Sequence, residues 1–201
     1  MYLIPSILQA IGLFMATNID DIIVLSLFFA RGAGQRGTTA RILAGQYLGF
    51  GGILATAVLV ALGAGVFLPP QAIPYFGLIP LFLGLWAAWR AWRAADDDDD
   101  DDAKVAGKNV GVLTVAAVTF ANGGDNIGVY VPVFLSVGPT AVVAYCIAFL
   151  ALVAVLVVLA KFIATRRPIA EVLERWEHIL FPLVLIGLGV FILVEGGAFG
   201  L

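Results

Sequence analysis

The chain has 201 residues, 62% of them hydrophobic, with 11 basic side chains against 14 acidic ones for a net charge of −3. A soluble domain is about 45–50% apolar, so this composition, with a mean hydropathy of +1.04, excludes an ordinary soluble enzyme and predicts an all-α integral membrane protein. No basic surface is available for nucleic acid, and the single cysteine, Cys146, excludes an intramolecular disulfide.

In chain order, hydrophobic stretches run over 3–29, 42–68, 73–92, 110–135, 139–162 and 178–199. Each supplies the roughly 20 apolar residues that a transmembrane helix needs, so six spans are expected, with no room left for a soluble domain. The first stretch lacks the leading positive charge of a signal peptide and is expected to remain as a span. It carries Asp20 and Asp21 behind Thr17 and Asn18. The second opens on Gly45-Gln46-Tyr47-Leu48-Gly49, where Gln46 is a polar group about one turn inside the membrane and a candidate pathway residue. The third ends with Trp86, Trp89 and Trp92 beside Arg90 and Arg93, the pattern of an interfacial aromatic belt.

Asp96 to Asp102 then form an unbroken acidic run, which repels itself and reads as a solvated linker. The fourth stretch holds Asn122-Gly123-Gly124-Asp125-Asn126 and, further on, Pro132, which is expected to kink its outer part. In the fifth, Cys146 reads as a buried, inert thiol. The sixth begins at His178, an interfacial anchor beside Arg175, Trp176 and Glu177. Near its far end Glu195 reads as a snorkelling carboxylate, with a place on an exit path as the alternative.

All basic residues fall on alternate loops: after the first stretch, between the third and fourth, and between the fifth and sixth. The positive-inside rule makes those loops, including the acidic linker, cytoplasmic and puts both termini outside the cell membrane. With three spans per half, the second half enters the membrane in the opposite sense. An offset of 105 residues aligns Ala16, Asp20, Ile22, Val24 and Phe29 with Ala121, Asp125, Ile127, Val129 and Phe134, and sets Asp21 against Asn126. The expected fold is therefore six transmembrane helices in two inverted-topology three-helix repeats, residues 1–95 and 108–201, joined by the acidic linker 96–107.

A carboxylate near the bilayer centre costs at least about 2.5–3.5 kcal/mol on insertion scales. Three such groups, with no Lys, Arg or His in either segment, call for a cationic partner. Residues three or four apart share a helix face, so Asn18 with Asp21, and Asn122 with Asp125 and Asn126, each present oxygens in one direction. Gly123 and Gly124 weaken their helix and free backbone carbonyls as further ligands. A rise of about 1.5 Å per residue brings Asp20 and Asp125 to similar depth in antiparallel spans, where a divalent cation would relieve their mutual repulsion. Oxygen donors favour hard or borderline ions.

Ala16-Thr17-Asn18-Ile19-Asp20-Asp21-Ile22 with Leu27-Phe28-Phe29, and Asn122-Gly123-Gly124-Asp125-Asn126-Ile127-Gly128-Val129-Tyr130-Val131-Pro132, resemble the two hallmark motifs of the cadmium resistance transporter (CadD-like) family within the lysine exporter superfamily. The resemblance spans essentially the whole length, Gly45 to Gly49 and the Pro80 and Pro182 regions included. It implies export of a divalent metal, cadmium by name, with Asn18, Asp20, Asp21, Asn122, Asp125 and Asn126 as the ligands. Thr17, Gln46, Gly123, Gly124 and Glu195 are the further pathway candidates.

No nucleotide-binding motif is present, so transport is expected to be secondary, by proton exchange or down the electrical gradient, with no cofactor, the bilayer as surroundings and a homo-oligomer left open. Export of a cationic amino acid such as lysine competes with this reading, although no intramembrane cation is at hand for a substrate carboxylate. An intramembrane aspartyl protease fits poorly: asparagine replaces the first glycine of a Gly-x-Gly-Asp signature.

Overall fold

A computed structural model of the chain describes residues 3–93, 110–164 and 167–198. The run Asp96 to Asp102, Lys104, Lys108 and Arg166 lie outside the described residues, and so do the side chains of 167–178, His178 among them.

Among the described residues all regular structure is helical. The α-helices are α1 (Leu3–Thr17), α2 (Ile19–Arg31), α3 (Thr38–Phe67), α4 (Leu78–Arg93), α5 (Val112–Asn122), α6 (Gly124–Ser136), α7 (Pro139–Ile163) and α8 (Arg167–Glu195), and a 3₁₀ segment, Pro70–Gly77, precedes α4. The helices α3 and α7 are each long and apolar enough to cross a membrane alone, and α1 with α2 makes a third candidate bent by 57°. The third and fourth stretches are assembled from shorter pieces, and most of the sixth lies within α8. Pro70 and Pro74 interrupt the backbone ladder at the start of the third stretch, which leaves α4 about 24 Å long at 1.5 Å per residue.

Two stretches read as continuous from the sequence are broken in the middle, and local chemistry explains both breaks. At Asn18 the backbone leaves the helical region (φ −130°, ψ 21°). The Asn18 amide takes the carbonyl of Phe14 at 2.8 Å and the Thr17 hydroxyl takes that of Leu13 at 3.0 Å, so side chains occupy acceptors that a continuing helix would use. At Gly123 the backbone takes φ −86°, ψ 21°, a departure that glycine accepts at low cost. The breaks lie 105 residues apart, and α2 and α6, each of 13 residues, begin and end at that same offset. Pro132 lies inside α6, which continues past it to Ser136.

The core is an interlocked aromatic group from four helices. Phe14 of α1, Phe50 of α3, Tyr130 and Phe134 of α6, and Tyr145 and Phe149 of α7 are buried. Their ring centroids lie 4.9 Å apart for the tilted pair Tyr130 and Phe149 and 5.5 Å for the edge-to-face pair Phe14 and Phe50; aromatic pairs of favourable geometry add about 0.5–1.5 kcal/mol each beyond burial. Outside, Leu59, Phe67, Leu113, Ile147 and Val158 are exposed, and so are Trp86, Trp89 and Trp92 on α4. An apolar surface this extensive matches a lipid surrounding.

Candidate functional site

The site forms where the first break meets α3, α5 and α6. Glycine permits that meeting. A Cβ on Gly45 would lie 2.5 Å from Cβ of Val115 and 2.7 Å from the carbonyl oxygen of Val112; one on Gly49 would lie 2.6 Å from the carbonyl oxygen of Ala116. The spacing of small residues lets α3 approach the α5 backbone directly. Gln46, between those glycines and fully buried, is thereby brought against both α2 and α5.

The Gln46 side-chain N–H donates to Asp21 Oδ2 at 2.7 Å, and its oxygen accepts from the Thr119 hydroxyl at 2.5 Å. Asn122, three residues beyond Thr119 on the same face of α5, donates from Nδ2 to Asp20 Oδ2 at 2.6 Å and to Asp21 Oδ1 at 2.9 Å. Two carboxylates from α2 are thus bridged by one amide from α5. Asp21 is 3% exposed, and it accepts hydrogen bonds from the neutral amides of Gln46 and Asn122. Asp20 is half-buried.

A second group flanks this one. Asn18 Nδ2, besides the Phe14 carbonyl, faces Thr17 Oγ1 at 2.9 Å and the Tyr130 hydroxyl at 3.1 Å, and Thr17 and Tyr130 lie 2.9 Å apart. Thr17, Asn18 and Tyr130 are all buried. The oxygens Asn18 Oδ1 and Asn126 Oδ1 are buried and have no hydrogen-bond partner. Asp125 is exposed and accepts from the backbone N–H of Asn126 at 3.0 Å.

The breaks also change the energetics of the aspartates. Asp20 and Asp21 fall in the first turn of α2, and Asp125 in the first turn of α6. There the positive end of a helix dipole stabilises each by about 0.3–1 kcal/mol, a benefit unavailable in mid-helix.

Of the residues singled out in the sequence, Asp20, Asp21, Asn122 and Gln46 are joined by hydrogen bonds, and Thr17 and Asn18 meet on Tyr130. Among the described residues no three His, Cys, Asp or Glu side chains form a metal-holding group. Asp125 accepts the N–H of Asn126 within the first turn of its own helix. Gly123 is buried against Ile53, while Gly124 has open space around it. Cys146 is half-buried on α7. Glu195 lies in a separate cleft of about 290 Å³ with Gln9, Pro74 and Ser136, about 16 Å along α6 from Asp125 at the usual helical rise. Sequence inspection passed over Thr119 and Tyr130. Their signal is helical spacing, Thr119 three residues before Asn122 and Tyr130 four after Asn126.

Helices broken at acidic segments, inside a molecule with an apolar exterior, mark a helical membrane protein. The family model for cadmium resistance transporters matches residues 14–201, and the chain belongs to that family. No curated protein and no solved structure matches it.

Proposed function

We propose that the protein is a secondary exporter of a divalent metal cation, which it moves out of the cytoplasm through six membrane passes arranged as two inverted three-helix repeats. The observation that carries this reading is the bridged pair Asp20 and Asp21. Two carboxylates at a helix break share the amide of Asn122, and neither motif-bearing stretch contains a basic residue. The common 105-residue offset of the two breaks supports the repeat.

Asn18, Asp20, Asp21, Asn122, Asp125 and Asn126 are the ligand set of the proposal. At the first break a cation meets the negative, carbonyl end of α1 as well as the carboxylates. Gln46 and Asn122 hold Asp21 while their N–H groups face it; an incoming cation takes over that role. Asp125, on the opposite half, closes on the ion as the halves move against each other. Metal entry releases protons from the carboxylates and their return from outside resets the site, so an inward proton gradient drives export.

The test is metal accumulation in everted membrane vesicles, with Cd, Zn, Mn, Mg, Ca and lysine as the panel. Asp20→Asn, Asp21→Asn and Asp125→Asn are each expected to lower uptake, Asp125→Asn the least, while remaining in the membrane, and collapsing the pH gradient is expected to slow the wild type. Unchanged uptake in all three variants, or movement of lysine alone, overturns the assignment.

A further inference from the structure

The two buried amide oxygens say which kind of ion the site is shaped for. A buried acceptor without a donor costs about 1–3 kcal/mol, and native structures leave few of them. Around Asn18 the protons can be counted. Phe14 O and Leu13 O are backbone carbonyls and can only accept. The Thr17 hydroxyl spends its proton on Leu13 O, so the proton between Thr17 and Tyr130 is the tyrosine's. The Asn18 N–H groups go to Phe14 O, Thr17 Oγ1 and Tyr130. Every proton of this cluster is committed, and none is left for Asn18 Oδ1. The same bonds lock the amide: a flip would press its oxygen against the Phe14 carbonyl. Asn18 Oδ1 is therefore held as a bare acceptor two residues from Asp20, and Asn126 Oδ1 is a second one adjoining Asp125.

The remaining donors near the breaks are carboxylate and amide oxygens, and the single thiol is on α7 with no metal-holding group around it. Neutral oxygens with carboxylates suit hard divalent ions, whereas soft ions are selected by thiolate. We infer that the site selects a hard, oxygen-ligated divalent cation of the manganese, calcium and magnesium class through the carbonyl oxygens of Asn18 and Asn126, and that cadmium passes as a mimic of similar size. This rests on the export reading above and deepens it by naming the substrate class. Tyr130 is the positioning residue that keeps the Asn18 oxygen turned out.

The experiment is competition in everted vesicles of wild type, with labelled Mn2+ and Cd2+ as each other's competitors and Ca2+ and Mg2+ as further ones, followed by Asn18→Cys and Asn126→Cys. A hard ion is expected to outcompete Cd2+ in the wild type, and a thiol in place of either amide is expected to shift the preference toward Cd2+ by about tenfold, the low end of what altered metal surroundings do. Cadmium preferred by the wild type, with the order unchanged in both variants, overturns this inference and leaves metal export standing. Vesicles that accumulate no divalent ion overturn the export reading itself.

Discussion

At the first break Thr17 and Asn18 turn back onto the carbonyls of α1, Asp21 is buried under two amides, and Tyr130 reaches across from α6. At the second break, 105 residues on, a glycine makes the turn, Asp125 is exposed, and it accepts an N–H of its own helix. The backbone device is the same and the half-helices are equally long. The side chains tie the first break to α3, α5 and α6, whereas the carboxylate of the second bonds within its own helix. Under the proposed export reading, that asymmetry would let one half hold the ion while the other opens and closes on it.

The comparison can be broken most severely at Asp21. Asp21→Asn is expected to bring vesicle transport to background, because it removes the buried charge on which Gln46 and Asn122 converge. Asp125→Asn, which alters the exposed carboxylate, is expected to leave more residual uptake in the same assay. Comparable uptake in the two variants would erase the distinction between the halves.

Next comes the contact that builds the first half's site. Gly49→Leu must push α3 away from the carbonyl of Ala116 and from Thr119, and is expected to cost about 1–3 kcal/mol, as overpacking does. Denaturation in detergent micelles reads that loss, with uptake falling alongside as Gln46 is drawn away from Asp21. Gln46→Leu is expected to cost about 1–3 kcal/mol in the same measurement, since a buried carboxylate loses a donor. The double variant Gln46→Leu/Asp21→Leu is expected to recover part of that loss, which would show the cost to be an unpaired charge and not poor packing.

The smallest effects belong to the second break and compare its two glycines. Gly123→Ala meets Ile53 and the Thr119 carbonyl, and is expected to lose stability while Ile53 moves aside. Gly124→Ala meets nothing within 4 Å and is expected to be neutral or to stabilise α6 by up to about 1 kcal/mol. Equal melting points for the two variants would remove the packing argument for Gly123.

Much of this was legible in the residues because apolar composition and rare charges carry their cost wherever the chain folds. The membrane class and the helical fold follow from the hydrophobic stretches, and the acidic segments stand out as carboxylates that have no basic neighbour, while the six ligand candidates are what the family resemblance implies. The breaks were less legible. Thr17, Asn18, Asp20 and Asp21 mark the first segment as polar, and hydropathy averaged over a span cannot register a single backbone departure. Gln46 could be marked only as polar and inside; its place on Asp21 and Thr119 depends on two glycines of α3 lying against α5. Tyr130 was hidden for a different reason, since an aromatic residue in an apolar helix usually serves packing, and here the ring packs on Phe149 while the hydroxyl serves Asn18.

The sequence by itself determined that this chain enters a membrane as helices and carries two related acidic segments, because hydrophobic burial and the expense of intramembrane charge are properties of residues. Tertiary structure decided that the aspartates stand at helix starts, that an amide from α5 bridges two of them, and that Asn18 keeps a bare oxygen. Those outcomes depend on which donor meets which acceptor across helices distant in the chain, and short-range hydrogen-bond geometry exists only once the helices are packed.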